Sequence, residues 1–118
     1  MRFTVTLTRE ALDDLRRLED FLVETALEQG DWDLPGRAVD AIRNEMRILE
    51  TNPYTCRMAQ NDPLERELVI PFGASGYVAL FAIISEHEVA VSALSEHPPA
   101  RSVVVIFALM AQLSLIHI

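Results

Sequence analysis

Lysine is missing from these 118 residues, and all ten basic side chains are arginine. Against 18 acids they leave a formal net charge of −8. A field of that sign opposes tight, non-specific binding to nucleic acid, which depends on neutralising phosphates, so no direct nucleic-acid partner is expected. There is one cysteine, Cys56, so no disulfide can form within the chain, which fits a reducing cytoplasm. Nothing near Cys56 in sequence resembles an activating base. Glycine is also scarce, at four residues. Gly73 and Gly76 flank a hairpin turn rather than a strand-to-helix turn, which leaves no phosphate-cradling loop. The three histidines, His87, His97 and His117, fit no common zinc spacing with Cys56, so neither metal nor cofactor is expected. The longest apolar run, Val103 to Ile118, is shorter than the ~20 residues a membrane-spanning helix needs. The N-terminus, MRFTVTLTRE, has no apolar run of the signal-peptide kind.

What remains is a chain that is half hydrophobic and sized for one domain. Phe3, Val5 and Leu7 alternate with Arg2, Thr4 and Thr6, the pattern of a half-buried strand. Thr8 is placed to cap a helix whose apolar stripe is Ala11, Leu15, Leu18, Leu22 and Ala26, widened by Leu12 and Phe21. Gly30 ends it. Between Arg9 and Asp33 nine acids face three arginines, as on the solvated side of a helix. A second helix is predicted from about Asp33, with Pro35 in its first turn and a stripe of Val39, Ile42, Met46 and Leu49. Asn52-Pro53 stops it. Two helices with one stripe each form a hairpin that needs a sheet to cover it. Trp32 reads as a cap on that hairpin.

Residues 52–63 read as a loop. A strand follows in which Leu64, Leu68, Ile70 and Phe72 share one side, and Arg66 falls among them. After the tight Gly73-Ala74-Ser75-Gly76 link, Tyr77 to Ile84 is apolar on both faces, as in a central strand covered on both sides. Val89 to Leu94 is the last strand read with a clear pattern. His97-Pro98-Pro99 breaks the sheet.

Catalytic groupings are sparse. The acid pairs Asp13-Asp14 and Glu19-Asp20 lie on a helix surface rather than in a cleft. Ser75 lacks the strand-to-helix elbow of a nucleophile. Arg57, Arg66 and Arg101 are the basic residues outside the helices and first strand. Arg66 reads first as an ion pair with Glu65, Glu67 or a loop acid, and second as an anchor for a partner or a phosphate.

The ordered set RFTVTLT, REALDDLRRLEDFL, AVDAIRNEMRILETNP and RELVIPFGASGYVALFAI resembles the ParE branch of the RelE/ParE superfamily of toxin–antitoxin toxins. The resemblance implies an α+β fold of β-α-α-β-β-β order, a mostly antiparallel sheet carrying a helical hairpin, over residues 1–94. It implies the toxin of a type II, plasmid-stabilising system, neutralised by an antitoxin that touches Leu15, Leu18, Phe72 and Tyr77. A homodimer or a heterotetramer with the antitoxin are the assemblies it suggests. ParE-like members bind DNA gyrase, a role for which Arg57 and Arg66 are the target-binding residues expected here, with no catalytic residue. RelE-like members cut mRNA on the ribosome. The best nuclease set this chain offers is Arg66, His97 and Arg101. The resemblance fails from residue 95 onward, where an apolar tail replaces the family's polar ending. The last six residues, LSLIHI, resemble a translated sequencing adapter. A buried segment, a shifted reading frame and an inactive remnant all stay open for residues 95–118.

Overall fold

The computed structural model describes residues 2–97. The tail, residues 98–118, with Arg101 and His117, lies outside the described residues. The first strand, β1 (Thr4–Leu7), leads into helix α1 (Arg9–Gln29) and helix α2 (Leu34–Met46), which tightens into a 3-10 turn at Arg47–Glu50. A second 3-10 turn (Pro53–Thr55) precedes β2 (Arg57–Ala59), β3 (Asp62–Phe72), β4 (Ser75–Ile83) and β5 (Glu88–His97). The fold is α+β, with the helical hairpin on a five-stranded sheet of order β1-β5-β4-β3-β2. Among the described strands only β1 and β5 pair in parallel. The other pairs are antiparallel.

Both ends of α1 and the start of α2 sit where their chemistry predicts, whereas α2 ends at Met46, before the expected Asn52-Pro53 stop, and gives way to the 3-10 turn that carries Leu49. The Thr8 side chain accepts a hydrogen bond from the Ala11 N–H at 3.2 Å. Gly30 adopts φ +72°, the left-handed conformation that closes a helix, and its N–H returns to the Ala26 carbonyl. Asp33 precedes α2, and proline occupies its first turn. Of the α1 stripe, Ala11, Leu22 and Ala26 are buried, while the expected wideners Leu12 and Phe21 are largely exposed. The core lies between the hairpin and one face of the sheet. Ile70, Ala79, Phe81, Val89 and Val91 are fully buried there, with Ala38, Ile42 and Leu49 above them. The 2.7 Å bond from the Phe3 N–H to the Glu50 carbonyl joins the start of β1 to the end of the hairpin.

Several local expectations are corrected. Residues 52–63 are not a plain loop, because they contain β2 and the start of β3. Gln60 and Asn61 make the turn between these strands with φ of 52° and 61°. Neither is glycine, so the turn leaves no ordinary signal in the sequence. β5 continues to His97, paired there with Gly76, so the sheet runs past Leu94. β4 is not covered by helices on both sides. Tyr77, Ala79, Phe81 and Ile83 face the hairpin and are buried, while Val78, Leu80 and Ala82 on the other face are half-buried. Trp32 is 70% exposed and caps nothing. It follows the left-handed Gly30 in the interhelical turn, which leaves its ring beyond the packed interface. Leu64, expected with Leu68 and Ile70, is also exposed.

Candidate functional site

Two concave surfaces border α1. One is a cleft of about 440 Å³ where β1, α1 and α2 converge. Its floor is apolar, built from Val5, Leu7, Leu15, Val39, Ile42 and Met46. Val5 and Leu7 reach it because strand alternation turns them toward the helices while Thr4 and Thr6 stay exposed. Val39, Ile42 and Met46 reach it because they recur at helical spacing on α2. Arg43, Arg47 and Glu50 form the polar rim.

The second surface is a trough on α1 above the end of β5 and the β3–β4 hairpin. It consists of two adjoining depressions that share Phe21 and Glu96. Leu18 lies in one, and Phe72 and Tyr77 lie in the other with their rings stacked at 6.0 Å. Burial pushes the Tyr77 hydroxyl above its ordinary pKa, and the neighbouring Glu96 carboxylate adds to the effect. Of the four residues expected to meet an antitoxin, the fold thus brings Leu18, Phe72 and Tyr77 to one trough. Leu15 lies in the cleft instead.

Beside the trough, β1 stops pairing at Val91 and leaves the outer edge of β5 without a strand neighbour from Ser92 onward among the described residues. Asp14 of α1 fills part of that gap. One of its carboxylate oxygens accepts the Leu94 N–H at 3.0 Å, and the other pairs with Arg17. Asp14→Ala is expected to cost about 1–3 kcal/mol, because a part-buried N–H loses its acceptor. Asp14→Asn, which keeps an acceptor oxygen, is expected to recover most of that. Urea denaturation of the two variants checks the difference.

The arginines singled out from the sequence are dispersed by the fold. Arg66 lies on the hairpin side of β3, opposite Phe81. Its Nε donates to the Pro63 carbonyl at 2.8 Å, and its Nη1 donates to the carbonyls of Tyr54 and Cys56 at 3.0 and 2.7 Å. The guanidinium also lies 5.4 Å from the centre of the Tyr54 ring. Its partners are therefore backbone carbonyls and a ring, not the acids expected. Arg57 pairs with Glu67 at 2.8 Å. Glu67 lies opposite Leu80, which places that ion pair on the face away from the helices. Arg57 and Arg66 thus share no surface. His97 lies opposite Gly76, on the other face from Arg66 and five residues further along β4. That separates them by roughly 17 Å along the strands and about 10 Å across them. Arg101 lies outside the described residues, as does His117 of the histidine set.

Burial raises the pKa of the Cys56 thiol, an effect the Arg66 charge only partly offsets, so the protonated, unreactive form is favoured. Among the described residues no group of three His, Cys, Asp or Glu side chains converges as a metal site would require. No helix among them is long and apolar enough to cross a membrane.

With this geometry in view, the chain matches a family model over residues 5–97, that of the ParE toxin of the type II toxin–antitoxin system parDE. The chain belongs to the ParE toxin family. The match takes in both helices and the five strands except Thr4 at the start of β1, and it ends with β5. A solved chain described as the chromosomal ParDE TA system from P. aeruginosa superposes with a TM-score of 0.65 at 17% identity, covering 82% of this chain and 98% of that one. At that identity the likeness speaks for the fold. No curated protein matches the chain. Sequence reasoning passed over Arg43 and Arg47 of this ParE-family chain. Their signal was available, since they stand four residues apart and flank the Val39, Ile42 and Met46 stripe.

Proposed function

We propose that this chain is the toxin half of a two-protein pair, kept inactive by an antitoxin and acting through DNA gyrase. The observation that carries the proposal is the family match across the whole described domain. Two features of the fold support a binding protein over a nuclease. Arg66 spends donors on three backbone carbonyls, and it stands on the opposite face of the sheet from His97. The apolar cleft and trough beside α1 supply surfaces that an antitoxin's apolar residues would cover, with Leu15, Leu18, Phe72 and Tyr77 among the contacts. The pair would work in the cytoplasm, stabilising the DNA that encodes it.

A supercoiling assay with purified gyrase tests the target. The chain should inhibit supercoiling, and a stoichiometric amount of the protein encoded by the neighbouring reading frame should restore it. Unaffected gyrase together with codon-specific mRNA cleavage on ribosomes would overturn the proposal in favour of the RelE-like reading.

A further inference from the structure

The sheet has a face that no described helix covers. Both helices pack on the other side, over Ile70, Phe81, Val89 and Val91. On the helix-free side the register sets Val69, Val78 and Ser95 in one row across β3, β4 and β5. Glu67, Leu80 and Ala93 form the next row, and Glu65, Ala82 and Ala90 the one after. Apolar side chains therefore run down the middle of this face along β4. The Arg57–Glu67 ion pair stands on one flank, and Thr4 and Thr6 of β1 stand on the other. Val69 is 38% exposed, and Val78, Leu80 and Ala82 are half-buried. A solvated face of an antiparallel sheet ordinarily carries polar side chains, whereas the middle of this one carries valine, leucine and alanine.

We propose that residues 103–118 of the same chain cover this face. Their only polar side chains are Gln112, Ser114 and His117, so the run needs an apolar surface to meet. The end of β5 directs it there. β5 stops at His97, which stands on the helix-free face opposite Gly76. Pro98 and Pro99 offer no N–H with which to extend the ladder. Three places adjoin that point. The outer edge of β5 is closed where Asp14 accepts the Leu94 N–H at 3.0 Å. The helix side is lined by Phe21 and Leu22 of α1 and carries the Glu96 carboxylate, which an apolar run would desolvate without pairing it. The helix-free face is open and apolar. The reach is sufficient, since residues 103–118 span about 24 Å as a helix and more when extended, against roughly 23 Å for β4 from Gly76 to Ile83. A tail seated there leaves the hairpin side of the domain to partner proteins, whatever the chain acts on.

Photo-cross-linking of the purified full chain tests the placement. Val69→p-benzoylphenylalanine puts the probe on the helix-free face, and Val23→p-benzoylphenylalanine, on the exposed side of α1, is the control. After irradiation of dilute protein, peptide mapping of the monomer band should find residues 103–118 joined to the probe at 69 and not to the probe at 23. Leu80→Glu sets a charge beneath the apolar run and should release it. Chymotrypsin cleavage after Phe107 should then speed up roughly tenfold, because proteolysis of a covered segment follows the fraction that is open. Val23→Glu should leave that rate unchanged. Both rates are read on protein whose circular dichroism matches the parent chain. Links from the probe at 23 alone, links from neither probe, or an unchanged cleavage rate in folded Leu80→Glu would overturn the proposal. Links from the probe at 69 that form only between chains, with a yield rising with protein concentration, would overturn it in favour of a second copy on the same face.

Discussion

Gly76→Ala should destabilise the domain by about 3 kcal/mol or more, a fall in Tm of roughly 10–20 °C. A β-carbon at Gly76 would sit 2.2 Å from the Ile70 carbonyl oxygen, and 3.2 Å from both the Ile70 carbonyl carbon and the Phe72 nitrogen. All three atoms are backbone, so no side-chain rotation relieves the clash. Pro71, between them, has its φ fixed by its ring and restricts the main chain further. The hairpin would have to open where Pro71 faces Gly76 and where Gly76 also faces His97. Since β4 is the central strand, the loss would spread to β3 and β5 together. Gly36→Ala is the matched control. No atom lies within 4 Å of its added β-carbon, and its site is helical, so stability should hold or rise by a few tenths of a kcal/mol to about 1 kcal/mol. Thermal melts of the two variants, read side by side, separate a local steric demand from a general intolerance of glycine replacement.

Arg66→Leu should cost roughly 2–3 kcal/mol, and Arg66→Lys should recover little of it. The guanidinium fork reaches three carbonyls, those of Tyr54, Cys56 and Pro63, and stands over the Tyr54 ring. An ammonium is a point charge on a flexible stem and cannot span that set of acceptors. Hydrogen bonds from a charged donor contribute about 1.5–3 kcal/mol each when enclosed, and part of this network is exposed, which sets the total at the lower end. The ring of Tyr54 also meets Phe3 edge-on at 6.5 Å, so the loosening should extend to the start of β1. Denaturant midpoints give the stability change. The same variants test the role expected of Arg66 from the sequence, since retained gyrase inhibition in a folded Arg66→Lys protein places its role in structure.

These two residues also mark how far the sequence was readable. The Pro-Phe-Gly hairpin, the two helix stripes and the caps of α1 were legible, because each depends on local chemistry with a fixed period or a fixed backbone demand. The partners of Arg66 were not. They are main-chain carbonyls in the Pro53–Thr55 turn and beyond, and any residue type supplies a carbonyl. Strand β2 was hidden for a related reason, since Gln60 and Asn61 make a left-handed turn without glycine. At the candidate site, Leu15, Leu18, Phe72 and Tyr77 line concave surfaces. Their division between a cleft and a trough depends on how α1 crosses the sheet, which no local pattern records. Arg43 and Arg47 were visible as residues, but that neither enters an ion pair among the described residues emerges only from the fold.

Whether this ParE-family chain is a toxin held by a partner protein is read from growth of a bacterial host in which the chain is induced alone and then together with the neighbouring reading frame. Arrest is expected with the chain alone, and restored growth, with a co-purifying complex, when both are made. Unimpaired growth with the folded chain at high level, or arrest that no neighbouring protein relieves, would contradict it.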